Sequence, residues 1–186
     1  MEITFQNTIF EHLQFQHNSH GGGAISFHNE ISSKFTDLYV IGCTFNNVSS
    51  KCSGGAIHFN SPDHLLYVED CNFINTFTVN SNQKGGAIYA KYHADSQPIT
   101  IKGCYFENTR SNIGGAICIE RTSTSNSIID INNCVFNTSS STSEGQAIYI
   151  ANSTLDTITV SFCNCIDCGN VKSTASVYID AQSFEF

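Results

Sequence analysis

The sequence predicts an all-β chain: a right-handed parallel β-helix of about six coils of roughly 30 residues, forming one domain over residues 1–186. Three observations predict it. A Gly-Gly-Ala-Ile tetrapeptide stands at residues 22–25, 54–57, 85–88 and 114–117, with a worn copy at Gly145-Gln146-Ala147-Ile148 and a fainter one at Thr174-Ala175-Ser176-Val177. A second marker keeps the same beat, with Cys43, Cys71, Cys104 and Cys134 each two residues ahead of Phe45, Phe73, Phe106 and Phe136, and closes at Cys163-Asn164-Cys165. Around both markers apolar residues alternate with polar ones at period two, the spacing of a half-buried strand.

Each repeat reads as at least two strands of about five residues. The first precedes the cysteine and carries Leu38/Val40, Leu66/Val68, Ile99/Ile101, Ile129/Ile131 and Ile158/Val160. The second follows the glycines and carries Ile25/Phe27, Ile57/Phe59, Ile88/Ala90, Ile117/Ile119, Ile148/Ile150 and Val177/Ile179. Between these stand Ser26, His58, Tyr89, Cys118, Tyr149 and Tyr178, which alternation turns outward. One repeat cannot bury its own apolar stripe, so repeats must stack. A propeller blade needs about 40 to 45 residues, too many for this period. Like-on-like columns are what parallel, in-register coils reward. Ile3-Thr4-Phe5 reads as the tail of an earlier copy, so a coil opens half complete at Met1, with no capping helix at either end. The expectation is a fragment of a longer repeat protein whose uncapped strand edges self-associate.

The glycines have a steric reading. Where the chain turns into a strand between two neighbouring coils, a side chain would collide, and glycine removes the Cβ and permits positive φ. A phosphate-cradling loop is the alternative, and it fails because a strand follows, with no Lys-Ser/Thr and no helix. Asn7, Asn47, Asn75 and Asn108 read as a second turn column, since asparagine tolerates the left-handed conformation. Asn137 comes one place early and Asp167 replaces the amide, so the ladder frays toward the C-terminus.

Composition narrows the partners. Eight Lys and Arg against sixteen Asp and Glu give a net charge of −8, which argues against nucleic acid and against an anionic membrane surface. No run of apolar residues is long enough for a membrane-spanning helix. Met1–Phe5 lacks the basic region and apolar run of a signal peptide, leaving a cytosolic protein or a piece of a longer chain.

Residues that could carry chemistry are few. Five cysteines (43, 71, 104, 134 and 163) fall in one inward column and read as a stack of buried thiols within reach of occasional bridging. Cys165-Ile166-Asp167-Cys168 lacks the helix N-terminus of a redox pair and the second ligand pair of a zinc site. His17 and His20 have ligand-like spacing but read as solvated loop residues. No catalytic residue, metal or cofactor is assigned. Glycoside hydrolysis needs paired carboxylates, and Glu69-Asp70 stands without an acid in the coils on either side; Arg110 and Arg121 belong to no acidic group. A pectin lyase-like, polysaccharide-active enzyme is therefore the second reading, and an inert spacer the third. The column His58, Tyr89, Tyr149 and Tyr178 reads as an aromatic strip for sugars or protein, with Tyr39 and Tyr67 on another face. Asn47, Asn137 and Asn152 lie in Asn-x-Ser/Thr sequons, with Asn152 in an expected loop and Asn47 in the more enclosed turn column.

Gly-Gly-Ala-Ile together with Phe45-Asn46-Asn47, Phe106-Glu107-Asn108 and the literal Phe-x-x-Asn string Phe15-Gln16-His17-Asn18 resembles the repeats of chlamydial polymorphic outer membrane proteins, which also occur in surface proteins of some protozoan parasites. The resemblance covers nearly the whole chain. It implies a right-handed β-helix at a cell surface or secreted, engaged in adhesion or host contact with a protein or glycan. The bacterial members end in a membrane β-barrel, and no such region is present in these residues.

Overall fold

A computed structural model describes residues 2–17, 20–28, 36–61, 64–92, 98–121, 128–153, 157–169 and 175–182. The chain is a parallel β-helix. Every strand pairing is parallel, and no helix occurs among the described residues. Each coil supplies one strand to each of up to four sheets. The first sheet stacks Glu2–Gln6, Asp37–Ile41, Leu66–Glu69, Ile99–Lys102, Ile128–Asn132 and Thr157–Ser161. The second stacks Ile9–Glu11, Thr44–Asn46, Asn72–Ile74, Tyr105–Glu107, Val135–Asn137 and Asn164–Ile166. The third is narrow, stacking Gln14–Phe15, Ser49–Ser50, Phe77–Thr78, Arg110–Ser111 and Ser140–Ser141. The fourth stacks Ile25–His28, Ile57–Ser61, Ile88–Tyr92, Ile117–Arg121, Ile148–Ser153 and Val177–Gln182.

The predicted columns are the observed register. Leu38, Leu66, Ile99, Ile129 and Ile158 are successive Cα partners, as are Val40, Val68, Ile101, Ile131 and Val160. Phe10, Phe45, Phe73, Phe106 and Phe136 form a continuous ladder with centroids 4.8–4.9 Å apart and rings within 7° of parallel. The four coils spanning 37–61, 66–92, 99–121 and 128–153 are sealed. Their inward residues, Phe45, Phe73, Phe106 and Phe136 among them, are fully buried, whereas Phe5, Phe10, Ile158, Cys163 and Cys165 in the first and last coils are only half-buried. A uniform count of about six coils hides that difference, which arises because an end coil has a neighbour on one side only.

Three expectations at the turns are corrected. Ile3 and Phe5 pair with Leu38 and Val40 in the first sheet, so the opening residues begin a coil that reaches all four sheets and are no tail of an earlier copy. Asn7 consequently leaves the asparagine column. It shares the corner between the first and second sheets with Gly42, Asp70, Gly103, Asn133 and Phe162, each at φ between 50° and 63°. The corner after the phenylalanines is held at φ 48–55° by His12, Asn47, Asn75, Asn108, Thr138 and Asp167. There Asn108 donates its side-chain amide to Asn75 Oδ1 at 2.6 Å, and Thr138 Oγ1 takes over as acceptor for the Asn108 backbone N–H at 3.1 Å. Finally, Phe15 lies in the third sheet opposite Ser50, so Phe15-Gln16-His17 is no copy of the phenylalanine corner; Asn18 lies outside the described residues.

The glycine corner shows both uses of the missing Cβ. Gly54 sits at φ +75°, closed to most side chains. At Gly55 a Cβ would lie 1.9 Å from the carbonyl oxygen of Gly86 in the next coil, inside any permissible contact. The faint last copy follows the same path, with Val177 pairing with Ile148, while its Thr174 lies outside the described residues.

Candidate functional site

The strip expected on the outer face of the fourth sheet does form a column. Tyr89 pairs with His58 and Cys118, Cys118 with Tyr149, and Tyr149 with Tyr178. Its rings lie close, His58 to Tyr89 at 5.0 Å and Tyr149 stacked on Tyr178 at 5.6 Å. The expectation that it is open to solvent is corrected. Tyr89 is 7% exposed, Tyr149 8% and Cys118 fully buried, because Ile113 and Ala151 pack onto them as a second, smaller core. Glu120 accepts the Tyr89 hydroxyl at 2.8 Å and forms an ion pair with Lys84, closing the side of the column. Burial, then Glu120, raises the Tyr89 phenol above its ordinary value, and burial does the same to the Cys118 thiol. His58 keeps partial exposure beneath the backbone of Gly21 and bonds the Ser53 carbonyl through Nδ1 at 3.0 Å. Burial lowers its imidazole below the usual value, more than the Ser53 bond raises it, so the neutral ring donates Nδ1–H. The column's centre offers no free aromatic face.

On the outer face of the first sheet, Tyr39 and Tyr67 lie 5.7 Å apart, with the Lys102 ammonium 5.1 Å from the Tyr67 ring centroid. Glu69 is held there by Lys102 Nζ at 3.0 Å and the Tyr67 hydroxyl at 2.9 Å, and the Lys102 bond leads in keeping its carboxyl below the usual range. Its Cα partners in the adjacent coils are Ile41 and Lys102, so no carboxylate faces it.

The five-cysteine column is inward as expected. Each thiol donates to the carbonyl two residues before it, as Cys71 Sγ does to Glu69 O at 3.2 Å, and burial raises the Cys104 thiol well above its ordinary value. All nine cysteines are free thiols. Cys165 takes the phenylalanine position opposite Phe136, and Cys168 donates to the Phe136 carbonyl at 3.2 Å; no group of three or more ligands for a metal occurs among the described residues. His20 and His28 lie with rings 5.2 Å apart on the first coil.

The sequons divide differently from expectation. Asn47 is exposed rather than enclosed, because its positive φ turns the side chain out of the corner. Asn137 is half-buried and donates to the Tyr105 hydroxyl at 3.2 Å. Asn152 belongs to the strand Ile148–Ser153, opposite Ala181, and not to a loop; its side chain lies outside the described residues.

One concave feature was missed from sequence. The narrow third sheet and the turn that follows it enclose a half-open cleft of about 320 Å³ across three coils, lined by Val79 and Asn80, by Arg110 and Asn112, and by Ser140 and Thr142. The Arg110 guanidinium lies 4.1 Å from the Phe77 ring centroid of the coil below, and Thr142 Oγ1 donates to Asn112 Oδ1 at 2.6 Å. No Asp or Glu among the described residues lines this cleft. Its strands hold two residues each, too short for alternation to reveal, and the only sequence signal was the position four residues after each ladder phenylalanine: Ser49, Phe77, Arg110 and Ser140. No family model, no curated protein and no solved structure matches the chain.

Proposed function

We propose that the chain is a non-enzymatic adhesion or interaction module that presents a protein- or glycan-binding surface at the outside of a cell. The observation that carries this reading is the state of the acid singled out by sequence: Glu69 is bonded on both oxygens by Lys102 and Tyr67, and no carboxylate faces it from either adjacent coil. Hydrolysis of a glycosidic bond takes two carboxyl groups about 5–10 Å apart across the bond, one of them able to give up a proton. Glu69 is held ionised by its cationic partner, in a lattice of side chains that stiffens the sheet. The concave feature of the third sheet, by contrast, offers neutral hydrogen-bonding groups and one arginine, a set that holds a ligand without breaking it. The cell-surface part of the proposal rests on the resemblance of the Gly-Gly-Ala-Ile and Phe-x-Asn repeats to surface proteins. No helix among the described residues is long and apolar enough to cross a membrane.

The test is a panel of immobilised glycans and extracellular-matrix proteins probed with the intact chain, with release of reducing ends assayed in the same wells. Saturable retention on at least one surface, with no release, is the expected result. Reducing ends released in proportion to the amount of chain would overturn the reading in favour of an enzyme.

A further inference from the structure

We infer that the third-sheet cleft is a binding site for a short acidic saccharide, with Arg110 reading the sugar carboxylate. This rests on the recognition reading above and adds the ligand's chemical class. In a chain of net charge −8, Lys84 is committed to Glu120 and Lys102 to Glu69, whereas Arg110 is exposed and has no carboxylate partner among the described residues. Its guanidinium lies over the Phe77 ring of the neighbouring coil, a contact that orients the planar fork while leaving its donors for a ligand. A guanidinium fork matches a carboxylate in bidentate fashion, with more geometric specificity than a point charge gives.

The rest of the lining suits the hydroxyls of a sugar. Asn80 and Asn112 bring amides, and Ser81, Ser140 and Thr142 bring hydroxyls, from three successive coils. Coils repeat at about 4.8 Å, so the cleft runs for roughly 10 Å, the length of two sugar rings. Thr142 fixes the Asn112 side chain by donating to its Oδ1, which leaves the Asn112 NH2 as a donor. An acid in the lining would repel such a ligand, and the described residues supply none.

The experiment is calorimetric titration of the full chain with a hexuronic acid disaccharide and with the neutral hexose disaccharide of the same linkage. The expected result is saturable binding of the acidic sugar, at least tenfold weaker binding of the neutral one, and a further loss at high salt. Arg110→Gln should weaken the acidic sugar at least tenfold. Asn112→Asp should do likewise, since it keeps the acceptor for Thr142 but replaces the NH2 donor with a negative charge. Both positions are at the surface or half-exposed, and an unchanged melting temperature confirms that the variants fold. Equal affinity for the two sugars, no binding of the acidic sugar at millimolar concentration, or an Arg110→Gln chain that binds as before would each overturn the site. If Arg110→Gln also keeps its retention on the glycan and matrix panel, the recognition reading stands and this site alone falls.

Discussion

Gly86→Ala is expected to be among the most destabilising single-atom additions this chain can receive. The added Cβ would lie 2.1 Å from the carbonyl oxygen of Gly115 and 2.7 Å from both the N and the O of Arg110. All three obstacles are backbone, so no rotamer change relieves them, and the coils must separate. Overpacking in a core costs about 1–3 kcal/mol where side chains can yield; with backbone on every side the expected loss is about 3 kcal/mol or more. The chain carries its own control. In the fifth coil Gln146 stands at the equivalent place, and its N–H bonds to the same position of the next coil, at Ala175. Gly55, Gly86 and Gly115 instead bond one residue earlier, at Gly85, Gly114 and Gly145. Gln146 is accommodated with its N–H on that later carbonyl, while the strand that follows keeps the common register, Ile148 opposite Val177. Gly42→Asn should cost less than about 1 kcal/mol, because that corner already accepts Asn7, Asp70 and Asn133 at positive φ. Equilibrium urea unfolding of the two variants against the parent checks both values.

Phe106→Ala is the second large effect. The ring is fully buried and stacked on Phe73 at 4.9 Å and Phe136 at 4.8 Å. Truncating a core phenylalanine costs about 3–5 kcal/mol through lost transfer energy and the cavity left behind, and two stacked neighbours place this site toward the upper end. The hole cannot collapse, because the coils above and below are pinned by continuous ladders on either side. For a chain of this length the loss corresponds to a melting temperature lower by roughly 8–16 °C. Phe10→Ala should cost about half as much, since that ring stacks on one side only, on Phe45, with Phe5 edge-on at 6.0 Å, and is half-buried in the end coil. Equal effects at the two positions would mean that the ladder does not act as a column.

The contrast between these sites shows what was legible in the sequence. The two longer strands of each coil carry four to six residues, enough for alternation to mark Leu38 and Val40 as inward, and repetition then aligns them with Leu66, Val68, Ile99 and Ile101. The phenylalanine and cysteine columns were legible for the same reason. The second and third sheets were not separable, because strands of two and three residues have no period to measure. That also hid the cleft, whose lining comes from the residue four places after the ladder and from the turns beyond. The opening residues were misaligned because Phe5 stands two residues after Ile3 much as a ladder phenylalanine stands two after its cysteine, and only pairing with Val40 shows which corner follows. Exposure of the tyrosine column was misread because alternation assigns a face, not what covers it. Ile113 and Lys84 come from residues ahead of the alternating strands, and Glu120 from the outward face two places past Cys118.

The central claim is that equivalent residues of successive coils lie directly above one another, all strands running the same way. Inter-residue nuclear Overhauser contacts in the isotopically labelled chain test it most directly. The structure predicts contacts from the Phe73 ring to the rings of both Phe45 and Phe106, and from Val68 to both Val40 and Ile101, with the order of contacts along each strand preserved from coil to coil. Contacts running in reversed order between neighbouring strands, or a Val68 near neither Val40 nor Ile101, would contradict it.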